Sequence, residues 1–400
     1  MYIRITEDEL DKLFYQDLNW IKEKDLCFAP KKLVDKLIKI HDETFYKIES
    51  IDIFLKKSIR FFRNYILNNE NGDYNYRLNS KKIRAYFPNL KEKKITYSNY
   101  ILAFEKAGIV LKTNNYSTKF KVCNRYKFDK NFFEDEFVLV TFSAEELDSY
   151  NIKRTNLNLE SKYLNTLQTL KLDIENAIKE QYQLFKCELD KKRFFCRINK
   201  ILKFNRERNR YCIKGKKSNR IYHALCFLPK ESRKHLNIKF HSLDIVNCQP
   251  LLLCYYLKSK GLQYDDEFIK NVESGRLYES IKDRLENVSR DEVKKMVYSE
   301  ILFDFKTAKK NRVNKVFKKI YPLTYSSLEH IHLNEKTTLA SILQNLEASL
   351  FNNLNVINSE YYFTLFDAIY YNNKDDKDDL KSQISKYFRN LNLEVSVSDK

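Results

Sequence analysis

Two aspartates stand in this chain where an isolated carboxylate would be costly. Asp244 follows an apolar, β-prone run in FHSLDIVNCQPLLLCYYL, and an apolar helical run begins a few residues later. That pattern puts a carboxylate at a strand end, where a cation can sit, although a lone Asp there often just caps the next helix. Asp367 interrupts the aromatic and β-branched run YYFTLFDAIYYNN, which otherwise reads as a buried strand or hairpin. A carboxylate buried there without a partner is strongly disfavoured, or takes up a proton instead. The partner is either a lysine or arginine, or Mg²⁺ shared with Asp244. Two acids bridging two Mg²⁺ ions can activate a hydroxyl nucleophile and stabilise a leaving pyrophosphate.

Between the two acids, SRDEVKKMVYSEILF reads as a helix with Arg290, Lys294 and Tyr298 at spacings of four. Such residues share one helix face. Two cations suit the β and γ phosphates of a nucleoside triphosphate, and the ring suits its sugar and base. Taken alone, the same pattern is more often an ordinary solvated face.

The elements that must position these groups follow from composition and periodicity. A chain of 400 residues suggests two or three domains. Only five Gly and five Pro favour long helices over a turn-rich β architecture. Lys and Arg total 73 against 54 Asp and Glu, a net charge of +19 without a long basic tail. This implies a folded surface facing an anionic partner such as nucleic acid; a merely cationic, solubilising surface is the alternative. The eight cysteines form no CxxC pair and have no His at zinc spacing, which argues against a structural zinc site. With no apolar signal core and no long apolar window, we expect a reduced, soluble, cytoplasmic protein without a membrane partner.

Residues 1–75 carry helical periodicity. Within 76–150, LNSKKIRAYFPNL reads as a short helix capped by Asn79 or Ser80, and ITYSNYILAFEKAGIV as a second one capped by Thr96 or Ser98 and closed by Gly108. Two β-rich runs around Thr113, Asn114 and Asn115 follow. Helix, helix, hairpin is the winged-helix order, in which Tyr97, Asn99, Tyr100, Lys106, Lys112, Lys119, Lys121 and Arg125 would contact DNA. A small α+β packing module with lysines facing water fits equally well. Residues 151–215 read as a helical linker or thumb, and 216–400 hold the acids.

In this order, the pieces from about Ser218 onward resemble family A DNA polymerases and, more distantly, the phage-type single-subunit RNA polymerases. SNRIYHALCFLPKESRKHL is similar to the segment ahead of motif A, with Arg220 and Arg233 at its two arginines. Asp244 falls on the metal-binding Asp of motif A. EFIKNVESGRLYESI resembles F-x-x-G-x-D-I-H-x-x-T-A, and Arg290, Lys294 and Tyr298 fall on the R-x-x-x-K-x-x-x-[FY] helix of motif B. VFKKIYP resembles F-x-x-Y-P. Gln344 in ASILQNLEASL matches the glutamine of Q-G-T-A-A-D, and Asp367 matches the second catalytic Asp of motif C.

The resemblance implies an α+β right-hand polymerase core, palm and fingers, preceded by the winged-helix-like domain and the helical linker or thumb. It suggests a compact phage- or plasmid-type member without an evident exonuclease. Asp244 and Asp367 would hold two Mg²⁺ ions, with Mn²⁺ as a substitute. Arg290, Lys294, Tyr298 and Gln249 would bind the incoming dNTP. Arg220, Arg233, His223, Gln344 and the basic residues Lys106, Lys119 and Lys121 would hold the template–primer duplex, with replication or defence proteins as further partners. Departures remain. Gln249 stands where the DNA polymerases have a Glu that gates against ribose, and we expect it to exclude ribonucleotides by size. Leu302 and Phe303 replace the Tyr-Gly ending motif B, while Phe366 and Ala368 replace the residues flanking the motif C Asp. The alternatives are an RNA polymerase or primase on the same core, and a non-catalytic replication initiator that binds DNA.

Overall fold

The computed structural model describes residues 2–4, 25–63, 75–77, 80–90, 92, 94–114, 125–129, 131–132, 136–142, 161–188, 191–207, 212–215, 218–303, 311–335 and 337–399. The class is α+β, with helices dominant and small antiparallel sheets. The chain forms two compact units that interleave along the sequence: 1–152, 171–209 and 227–237 in the first, and 153–170, 210–226 and 238–400 in the second.

In the first unit, β1 (Tyr2–Arg4) and β2 (Asp25–Pro30) flank β6 (Phe137–Phe142) in an antiparallel sheet. α1 (Lys31–Ile40) turns Leu33, Val34, Leu37 and Ile40 inward, the helical period read from the sequence. α2 (Ile51–Phe62) starts at Ser50, whose hydroxyl accepts the Ile53 N–H. A second sheet orders β3 (Asn75–Arg77), β5 (Arg125–Phe128) and β4 (Val110–Asn114), with α3 (Ser80–Arg84) and α4 (Tyr97–Lys106) between β3 and β4 in the chain. Gly108 ends α4 at φ +65°, a conformation that disfavours any side chain. Lys106, Lys112 and Arg125 are exposed, whereas Lys119 and Lys121 lie outside the described residues. Tyr100 is corrected as a groove contact: it is fully buried, stacked on Phe45 and Phe87, and its hydroxyl donates to Glu49.

The chain then contributes α5 (Ser161–Thr169) to the second unit and returns to the first as α6 (Ile174–Glu188) and α7 (Lys191–Glu207). The buried amide of Asn199 on α7 both accepts from and donates to the Phe28 backbone, at 2.8 and 2.9 Å, which ties the helix to β2. Among the described residues, no helix is long and apolar enough to cross a membrane.

The second unit is built on a four-stranded antiparallel sheet. Its order is β10 (Tyr362–Leu365), β11 (Ala368–Tyr371), β9 (His241–Ile245) and β12 (Val397–Asp399). A separate hairpin pairs β7 (Cys212–Lys214) with β8 (Ile221–His223). The helices are α8 (Cys248–Ser259), α9 (Asp266–Glu273), α10 (Leu277–Lys282), α11 (Arg290–Met296), α12 (Arg312–Ile320), α13 (Pro322–Asn334), α14 (Leu339–Asn352) and α15 (Asp376–Asn390). α8 is apolar nearly all round and correspondingly buried, and it packs on α14. A seven-residue π-helical segment, Val297–Phe303, directly continues α11.

Candidate active site

β9 is the central support of the site. Its Asp244 lies directly across from Ala368 on β11 and from Ser398 on β12. β10 and β11 form a hairpin whose last pair is Leu365 with Ala368, so Phe366 and Asp367 make a two-residue turn. The Ile245 N–H donates to the Asp367 carbonyl at 3.1 Å, which pins this turn to β9. The sequence pattern thus resolves as strand and hairpin, with Asp244 on β9 and Asp367 in the hairpin turn that leads into the neighbouring strand β11.

The electrostatics match that proximity. Burial, reinforced by the charges of Asp244 and Glu347, raises the Asp367 carboxyl from 3.8 to about 6, while a backbone hydrogen bond and the Lys294 ammonium pull the other way. Two acids close enough to act on one another are groups that a divalent cation could bridge. Their all-oxygen donor set fits Mg²⁺ or Mn²⁺ better than zinc. Among the described residues there is no group of three or more His, Cys, Asp or Glu suited to a metal.

Phe366 takes φ +54°, which is costly for a bulky residue in a turn. Its ring is 41% exposed, lies 5.1 Å from the Arg220 guanidinium and meets Tyr222 edge-on. Arg220 follows a tight loop at Gly215, where a Cβ would come within 2.8 Å of the Ser218 hydroxyl and 2.9 Å of the Tyr222 ring. The guanidinium grips both oxygens of Glu347 at 2.7 Å. Burial works against the charge of Arg220, but pairing with Glu347 outweighs it and raises its pKa. Glu347, on α14, also accepts from Gln249 Nε2 at 3.2 Å.

A cavity of about 500 Å³ opens over these groups. Asp367, Phe366, Arg220, Glu347, Gln249 and Gln344 form part of its wall, and Asp291, Lys294, Lys295, Tyr298 and Phe303 complete it. α11 starts on a capping box in which Ser289 and Glu292 exchange hydrogen bonds, as the S-x-x-E spacing dictates. Lys294 and Lys295 remain exposed. Burial and then the neighbouring Tyr278 and Asp367 push the Tyr298 phenol well above its ordinary range, so it is neutral and able to donate. The thiol of Cys248 is likewise driven well upward, first by burial and then by Glu347 and Asp367, so it is no nucleophile here.

Arg290 does not line the cavity. Its Nε donates to Glu279 on α10, and its guanidinium lies over the Tyr278 ring at 5.3 Å. His223 is fully buried and bonds the Thr364 carbonyl through Nε2 at 2.9 Å, so it fastens β8 to β10 and offers no surface to a nucleic acid. Arg233 belongs to the first unit, in the short helical turn Glu231–His235. Glu347, Asp291 and Lys295 escaped the sequence reading. For Glu347 a signal existed: it falls four residues after Leu343 and three before Leu350, on the buried stripe of α14. An acid on such a stripe needs a buried partner.

No family model and no curated protein matches this chain. Among solved structures, the POL domain of Pol1 from M. smegmatis, in complex with DNA primer-template and dNTP, aligns with 94% of this chain and 67% of its own, at 9% identity and a TM-score of 0.36. So slight a likeness decides neither the fold nor the activity.

Proposed function

We propose that this chain is a template-directed nucleotidyltransferase, a DNA-directed DNA polymerase that extends a primer with dNTPs. The observation that carries this reading is the acid pair: the charge of Asp244 on β9 helps raise Asp367, in the adjoining β10–β11 turn, to about 6, and Lys294 acts on Asp367 from the wall of a cavity large enough for a nucleotide. In this reading the four-stranded sheet is the palm and α11 with its π-helical extension belongs to the fingers. The segment β3 to β5 of the first unit is read as the winged-helix-like DNA-binding module, with α6 and α7 as linker or thumb.

Asp244 and Asp367 would hold the divalent ions, which supply Lewis-acid activation of the primer 3′-hydroxyl and charge neutralisation on the phosphates. The chain's own groups do the rest. Lys294 and Lys295 neutralise the triphosphate, Tyr298 and Gln249 border the sugar, and Phe366 offers an aromatic face beside the reacting acids. Arg220, fixed by Glu347, carries positive charge on the same wall.

Primer extension on a primed DNA template with Mg²⁺ tests the proposal. We expect dNTP incorporation that EDTA stops and that Asp244→Asn and Asp367→Asn each abolish. Extension with NTPs alone would make the chain an RNA polymerase or primase. Unchanged function in both variants, with DNA binding retained, would leave the initiator that only binds DNA.

A further inference from the structure

Phe366 sits where turn geometry asks for another residue. It takes the first central position of the two-residue turn between β10 and β11 with φ +54°, while Asp367 after it has no positive φ. That pattern favours glycine. Five other described non-glycine residues have a positive φ, and they are four asparagines, which tolerate it, and one lysine. Burial does not compensate the strain, because the ring is 41% exposed on the wall of the cavity. A bulky side chain held in this way beside reacting acids is where strain serves a site.

The ring is also held in place. The Arg220 guanidinium lies over it at 5.1 Å, Tyr222 meets its edge at 6.3 Å, and Arg220 is itself fixed by both oxygens of Glu347. With a cation over one face and a ring against an edge, the exposed area is offered from the remaining face. It carries no hydrogen-bonding group, so it can recognise a planar π-system by contact area and not by a pattern of donors and acceptors. Resting on the polymerase reading, we propose that Phe366 is a stacking platform for a nucleobase, kept at the cavity wall although it strains the turn. The base belongs either to the last nucleotide of the primer or to the incoming dNTP.

The test is fluorescence titration of the full chain, with Ca²⁺ in place of Mg²⁺ to hold turnover. The probe is 2-aminopurine, a fluorescent purine, placed in one arm at the primer 3′ end and in the other on the incoming deoxynucleoside triphosphate. Wild type should quench the probe in one arm, which names the source of the base. Phe366→Gly and Phe366→Asn, which suit the turn but lack a ring, should lose that quenching and roughly tenfold in affinity for that ligand, the size of one stacked base. Both should melt at or above wild type, and Phe366→Trp should keep the binding. Unchanged affinity in both arms for the glycine and asparagine variants overturns the proposal and leaves the polymerase reading standing. Loss of binding accompanied by a lower melting temperature also overturns it, since the ring would then only support the fold. A wild type that binds neither primed template nor nucleotide overturns the polymerase reading as well.

Discussion

Asp367→Asn removes a charge that the fold holds at a cost. A rise from 3.8 to about 6 corresponds to about 3 kcal/mol at neutral pH, and water at this partly exposed carboxyl reduces that to about 2 kcal/mol. The native state takes up this proton more readily than the unfolded chain. Stability therefore falls as pH rises from about 4 to about 6 and is level above that. Asparagine should raise the melting temperature at pH 7.5 by roughly 4–8 °C and abolish the gain that wild type shows on acidification through this window. Divalent cation should stabilise wild type and leave the variant unmoved, because in the proposed function both acids hold the ion. The assay is differential scanning fluorimetry from pH 5 to 8, with EDTA, Mg²⁺ or Ca²⁺. A variant no more stable than wild type, or a wild type indifferent to the cation, would refute the argument that these acids share an ion.

Lys294→Ala should raise the KM for nucleotide by about tenfold with little change in melting, while Arg290→Ala, whose partner is Glu279 outside the cavity, should change KM less than about twofold; steady-state incorporation separates them. Glu347→Ala should destabilise by about 3–5 kcal/mol in urea titrations, since it leaves the Arg220 guanidinium buried and unpaired. Asp376 is fully buried, and although burial alone would raise its carboxyl, bonds from Ser359 and from the backbone N–H groups of Ile357 and Asn358 hold it below the usual range. Its contribution is present above about pH 4 and fades as pH falls further. Asp376→Asn should therefore cost about 2 kcal/mol at pH 7 and less near pH 3, measured by urea unfolding at both values.

Asp244 and Asp367 were legible because a carboxylate inside an apolar run is anomalous whatever the fold, and local strand periodicity located both. The hairpin was legible for the same reason. Arg290 shows where that logic ends: four-residue spacing fixes which helix face a side chain shares, not which neighbour captures it. Glu279 comes from another helix, and α-helical geometry stops before Tyr298, where the π-helical segment begins. His223 looked like a polar contact residue because a three-residue strand is too short to show which face is buried. Glu347 could have been flagged on its stripe, but its partners Arg220 and Gln249 lie 127 and 98 residues away in the chain. The interleaving of the two units likewise leaves no trace in local periodicity.

The two-residue turn between β10 and β11 makes the acid pair intolerant of small insertions. Each strand advances in whole residues, and a slip of β9 against β11 by one position would carry Asp244 to the opposite face of the sheet. Between the aligned arrangement and that inverted one no graded intermediate exists. Length changes in this unit should accumulate in the connections far from Phe366 and Asp367, while the hairpin itself keeps a fixed count. A mutational scan of single-residue insertions would read that boundary as an abrupt step.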